Sequence, residues 1–138
     1  MIQATANGYS DGQADTTAAI LIDGNAPILL ICDHASNHVP LSLKGLGLSK
    51  AQLHDHISWD IGAGALTCAL AKKLDAPVIL ATFSRLVLDA NRAIDAHDLI
   101  PVQSDGVIIP GNLELSALDR QDRISAFHTP FHSCISTF

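Results

Sequence analysis

Charge is scarce in this chain, and positive charge is scarcest. Eight Lys and Arg stand against fourteen Asp and Glu in 138 residues, a formal net charge of −6. A nucleic-acid surface needs clustered cations to neutralise phosphates. The only adjacent pair here, Lys72–Lys73, falls on an expected helix face, so nucleic acid is excluded as a partner. Cysteine is too sparse for a framework: Cys32, Cys68 and Cys134 are odd in number, far apart and without a CxxC pair. That argues against disulfides and for a reducing, cytoplasmic setting in which each thiol is a small buried apolar group. No run of about 18 apolar residues exists to span a bilayer. Met1–Gly12 has no basic start followed by an apolar core, so neither a membrane partner nor a secretory signal is expected. A GxxxxGK phosphate loop and a GxSxG elbow are both missing, and Gly62-Ala63-Gly64 lacks a third glycine at dinucleotide-binding spacing. These absences exclude three common nucleotide and serine-hydrolase chemistries.

What remains is a globular composition, 48% hydrophobic and 16% charged, of a length suited to one domain spanning 1–138. The low charged fraction implies apolar surface that expects cover, from another subunit or from a further part of the same domain. Residues 1–15 are small and polar and read as a flexible entry segment. Ala18–Ile22 reads as a short strand, closed by the turn Asp23-Gly24-Asn25. After Pro27 the run Ile28–Cys32 reads as a strand buried on both faces. Leu41–Leu48 is a loop, and Ser49 caps a helical turn over Lys50–His56. Asp60–Leu74 has helical spacing. Val78–Thr82 and Leu86–Asp89 read as a second and a third buried strand. Ala93–Asn112, with two Pro and two Gly, is irregular, and such a stretch is commonly functional. Leu115–Phe127 returns to helix, and Pro130 is expected to kink or restart it. Phe127, Phe131, Ile135 and Phe138 then share one apolar helical face. The three exposed Phe on it call for a covering partner, which makes self-association through the C-terminal helix an expectation. The element order implies an α/β layered fold.

Four constellations could carry chemistry. Asp33-His34-Ala35-Ser36-Asn37-His38 follows a buried strand, where open α/β sheets gather ligands. A His there can offer a neutral nitrogen to a metal while a carboxylate fixes its tautomer, or it can simply bond loop backbone. His56 and Asp60 lie four apart and on a helix would share a face. They could hold a metal together, form an ion pair, or leave Asp60 as an N-cap. Arg85 and Arg92 flank Leu86–Asp89, with Asn91 beside Arg92. This is a fork suited to a small acidic substrate, or equally a set of ion pairs such as Arg85 with Asp89. Ser104–Asn112 is turn-rich with an apolar centre, a substrate-facing lid or an ordinary loop. Arg120 and Arg123 could face Asp119 and Asp122, or the site.

Taken in order, these segments resemble the N-formylglutamate amidohydrolase family, in its DHASN-type branch. The matching stretches are Cys32–Pro40, His56–Ala63, Phe83–Arg92, Ser104–Gly106 with Ile109–Asn112, and Arg123-Ile124 with Pro130–His132. The resemblance implies a zinc-carboxypeptidase-like three-layer α/β/α fold with a mixed sheet. It also implies zinc-dependent hydrolysis of an N-acyl amino acid, as in N-formyl-L-glutamate to glutamate and formate. It implies His34 and Asp60 as metal ligands, and Asn91, Arg92 and Arg85 as the grip on the substrate carboxylate. Family members are roughly twice this long, so the resemblance further implies an amino-terminal portion. A further metal-binding His and the acidic general base are then expected beyond residue 138. His97, His128 and His132 stand in no matching metal motif. The alternatives are a noncatalytic module that keeps the carboxylate grip, and a degenerate fragment that only associates.

Overall fold

A computed structural model describes residues 17–138. The entry segment 1–15 lies outside the described residues. The organising element is the strand β3 (Val78–Ala81), whose four residues are all buried. It is flanked by β1 (Ala19–Ile22), antiparallel, and by β2 (Leu30–Cys32), parallel. Side chains alternate across a strand, and the core divides accordingly. Val78 and Leu80 join Cys32 and Ala71 on one face, whereas Ile79 and Ala81 join Phe83, Leu88, Leu99, Ile124 and Phe131 on the other. The first face is covered by helix α2 (Ala63–Leu74), the second by helix α4 (Thr129–Ser136). The described residues therefore form a mixed α/β structure with a helix on each side of a small mixed sheet.

A third apolar cluster, Leu46, Ile57, Leu86, Val87 and Ile109, lies beneath the loops. Leu43 and Leu48, just before the short helix α1 (Lys50–His54), pack on it, as does Val107 of a two-stranded hairpin of β4 (Gln103–Ser104) and β5 (Val107–Ile108). Ser49 is the N-cap, as the sequence anticipates, and it also closes a capping box with Gln52. Gly111 is required by proximity, since a Cβ there would stand 2.8 Å from Leu46 Cα.

Several expectations are corrected. Leu86–Asp89 is not a strand: it begins in a turn and leaves it without a ladder, and the Leu86 and Val87 carbonyls are taken by side chains rather than by a neighbouring strand. Ile28–Cys32 narrows to β2, which among the described residues has β3 on one side alone, and Ile31 keeps 43% of its surface. The strand buried on both faces is β3. Ala93–Asn112 is less irregular than its composition suggests, because it contains the hairpin and a 3-10 turn at Pro110–Asn112. Helix α2 begins at Ala63, since Gly62 sits at φ +87°, outside the helical region. Leu115–Phe127 shortens to α3 (Ala117–Arg123).

Between α3 and α4 the helix does not break at Pro130. It passes through a π turn, Ile124–His128, in which Thr129 N–H bonds the carbonyl of Ile124. The physical reason is Pro130 itself, which has no N–H and would press its ring on the carbonyl four residues back. Widening the preceding turn accommodates both. The expected row of exposed Phe is also revised. Phe131 is fully buried against Phe83, Phe127 is partly buried, and only Phe138 is exposed, at 60%.

Candidate active site

The motif segments, distant in sequence, are sewn together by backbone bonds. Ser84 N–H donates to His38 O, Asp60 N–H to His34 O, and Arg85 N–H to Ser58 O. Ser84 Oγ donates to Ser58 O at 2.8 Å. Ser58 and Ser84 are fully buried; small hydroxyl residues fit here because larger side chains would hold the three segments apart. The result brings His34, Asp60, Arg85 and Asp89 into contact at the carboxyl end of β2.

His34 is buried, and each of its ring nitrogens faces a carboxylate. Nε2 lies 2.7 Å from Asp89 Oδ1, and Nδ1 lies 3.4 Å from Asp60 Oδ2. The first distance is a charge-assisted hydrogen bond; the second is long for one. Arg85 braces the same two acids, with Nη1 3.3 Å from Asp60 Oδ1 and Nη2 3.3 Å from Asp89 Oδ2. Arg85 is thus engaged with both carboxylates, one side of the alternatives open in the sequence.

Asp89 is the hub that sequence reasoning missed, having cast it only as an ion-pair partner. Its carboxylate also accepts the Asn91 N–H at 3.0 Å and lies 3.8 Å from Arg92 Nε. A usable signal was its place two residues before Asn91, where an Asp side chain commonly accepts a backbone N–H. Burial alone would push the Asp89 carboxyl up, but the His34 hydrogen bond and charge, the Asn91 N–H and Arg85 outweigh it and hold it below the ordinary range. Conversely, the Asp89 hydrogen bond raises the His34 imidazole against the opposing effect of burial. The sign for the metal-free protein follows. The raised His34 contributes stability fully below its unfolded value of about 6.5, and that contribution fades as pH rises through its folded value. The depressed Asp89 contributes above about 3.9, and loses it as pH falls through its folded value. The pair should therefore stabilise most between about pH 4 and 6.5. Melting temperature against pH, wild type minus Asp89→Asn, should show its largest difference in that window. A flat difference would refute the assignment.

His56 does not join Asp60. Residues 55–59 form turns rather than a helix, and exposed His56 lies between Asp55 (2.7 Å) and Asp105 (3.1 Å). Asn112 and Arg123 lie under the site rather than in it. Asn112 Nδ2 donates to the carbonyls of Leu86 and Pro101, while its Oδ1 accepts from buried Arg123. Arg120 donates to the Ile94 and Ala96 carbonyls. The Ser104–Asn112 segment is anchored by fully buried Ile109.

Asn91 and Arg92 are exposed, and Arg92 Nε reaches Asp98 at 3.2 Å. Both line an open cleft of about 480 Å³, with Ile31, Asp33, His132 and Ile135 among its walls. Burial raises the Asp33 carboxyl, only partly offset by His34. The cleft therefore combines the Arg92 guanidinium, the Asn91 amide, the His132 imidazole and the Asp33 carboxyl with apolar walls from Ile31 and Ile135.

A sequence model of the N-formylglutamate amidohydrolase family matches residues 26–138, the span that contains every group described above. The chain belongs to the N-formylglutamate amidohydrolase family. Its fold and sequence are similar to a solved structure, that of gene product Atu2144 from Agrobacterium tumefaciens, at 37% identity and a TM-score of 0.87. The match covers 91% of this chain and 51% of that one, so the chain spans about half the length of this relative. No curated protein matches. Among the described residues no group of three or more His, Cys, Asp and Glu is placed to hold a metal ion, and no helix is long and apolar enough to cross a membrane.

Proposed function

We propose that this chain carries part of the site of a zinc-dependent hydrolase of N-acyl amino acids, of the N-formylglutamate type, within a zinc-carboxypeptidase-like three-layer fold. The observation that carries the reading is His34 held between two carboxylates at unequal distances. The 2.7 Å bond to Asp89 places the ring proton on Nε2 and leaves Nδ1 as the free lone pair. Two donors bound at about 2.0–2.1 Å to a tetrahedral zinc stand roughly 3.3–3.4 Å apart. Nδ1 and Asp60 Oδ2 are 3.4 Å apart. These two atoms fit as a pair of ligands; a third protein ligand is expected from outside the described residues, as is the general base.

A zinc held there supplies Lewis acidity, polarising an acyl carbonyl and bringing the pKa of water toward about 7. The chain's own residues do the rest. Asp89 fixes the His34 tautomer and ring direction, while Arg85 keeps the two acids from repelling each other. Arg92 and Asn91 take the substrate carboxylate and so orient the amide toward the His34 cluster. The substrate class is a small acidic N-acyl amino acid, and the expected setting is the cytoplasm.

The test is calorimetric titration with N-formyl-L-glutamate, with and without zinc. Arg92→Gln should weaken binding of this carboxylate by tenfold or more, corresponding to about 1.5–3 kcal/mol for a hydrogen bond to a charged group. Unchanged affinity would remove the grip from the reading. The two-ligand set favours one second reading, a carboxylate-binding module without chemistry. Binding that survives a chelator, with no turnover when zinc is restored, would select it.

A further inference from the structure

The turn that presents Asn91 and Arg92 is held from two directions. From within, Arg92 N–H bonds the Asp89 carbonyl at 3.0 Å and Asn91 N–H bonds the Asp89 carboxylate at 3.0 Å. From outside, two histidines one helical turn apart reach its carbonyls. His132 Nε2 lies 3.0 Å from Ala90 O, and His128 Nε2 lies 3.1 Å from Arg92 O. A carbonyl can only accept, so each ring must carry its proton on Nε2. The rings stack with centroids 4.2 Å apart and planes 31° apart, and Phe131 packs edge-on against His132. The π turn ends at His128, so the helix enters this pair directly from its wide turn.

We propose that His128 and His132 are positioning residues for the carboxylate grip, fixing the Ala90 and Arg92 carbonyls and thereby the direction in which Asn91 and Arg92 face the cleft. This rests on the reading of Asn91 and Arg92 given above. The two side chains are exposed, and Arg92 meets the Asp89 and Asp98 carboxylates, with which a substrate anion would compete. Their direction is set by the backbone, and the backbone's remaining freedom, rotation of the two peptide planes, is what the imidazoles remove. Burial lowers the His128 pKa, which keeps the ring neutral and its tautomer fixed at neutral pH. Neither ring lies in the His34 cluster, and His132 itself lines the cleft, so a change in the pair reads out at the ligand without touching the proposed metal ligands.

The experiment uses the full chain and two readouts: amide exchange at Asn91 and Arg92 by NMR, and calorimetric affinity for N-formyl-L-glutamate. His128→Leu and His132→Leu remove the donors. His128→Gln and His132→Gln keep an N–H near the place of Nε2. The Leu variants should speed exchange at both amides by roughly three- to tenfold, the loss of one hydrogen bond, and weaken the ligand by a similar factor. The Gln variants should restore both. If the Leu variants do not fold, the Gln variants decide: wild-type exchange and affinity support the role, and loss of either overturns it. Faster exchange with unchanged affinity also overturns it, provided Arg92→Gln abolishes binding. If Arg92→Gln leaves binding unchanged, or the wild-type chain does not bind, the grip reading falls and this inference falls with it.

Discussion

Replacing His34 by alanine should abolish specific zinc uptake, and replacing Asp89 by asparagine should weaken it about tenfold to a hundredfold. The two variants separate ligand from support. Alanine at 34 removes the proposed donor nitrogen, leaving Asp60 alone, and one carboxylate among exposed acids has no selectivity for zinc. Asparagine at 89 keeps an oxygen for the His34 Nε2–H but loses the charge that makes the ring a strong base. It also loses one of the two carboxylate partners of Arg85 (3.3 Å) and halves the acceptors available to Asn91 N–H. Competition against a chelating dye gives both affinities. Asp89→Ala adds a stability measurement: it strips partners from a buried imidazole and a half-buried guanidinium at once. A loss of about 3–5 kcal/mol is expected, as for other broken buried pairs. Zinc uptake that is unaltered in His34→Ala would end the metal reading altogether.

The parts of the site that sequence made legible are those whose chemistry is local. Asp33-His34 following a strand and Ser49 as the N-cap of a helical turn each depend on residues a few positions apart, and the structure has both. What sequence concealed is long-range. The bond between His34 and Asp89 joins residues 55 apart, and that between His128 and Arg92 residues 36 apart. No periodicity encodes such contacts. Leu86–Asp89 misled because apolar residues under a loop and apolar residues in a strand look alike over four positions. Its Leu86, Val87 and Leu88 are fully buried, but under side-chain hydrogen bonds rather than in a ladder. The edge position of β2 was invisible for the same reason, since burial of a short apolar run depends on what pairs with it. For Arg123 the sequence left open Asp119 and Asp122 or the site as partners, whereas its partners lie on two other segments beneath the site.

That arginine carries the second large effect, this time on stability. Arg123 is 6% exposed, and its guanidinium donates to Val87 O (3.1 Å), Asn112 Oδ1 (2.7 Å) and Gly111 O (3.2 Å). Among the described residues no carboxylate forms an ion pair with it; burial lowers its pKa, with Asp119 opposing only from a distance. A buried cation solvated by carbonyl dipoles is tolerated because the planar fork meets three acceptors in fixed directions. Arg123→Leu should therefore cost about 3–5 kcal/mol, since each buried acceptor left unpaired costs about 1–3 kcal/mol. Arg123→Lys should recover little of it, because a single ammonium cannot span three acceptors on two segments. Urea unfolding with unchanged m-value measures both. The loss should also couple to Asn112→Ala, because Asn112 passes the restraint on to the Leu86 and Pro101 carbonyls. The double variant should lose clearly less than the sum of the two single losses. Additive losses, or a cost under about 1 kcal/mol for Arg123→Leu, would show that the guanidinium merely fills space. Coupled losses would make it the prop that holds Val87, and with it the start of the Asp89 turn, beneath the site.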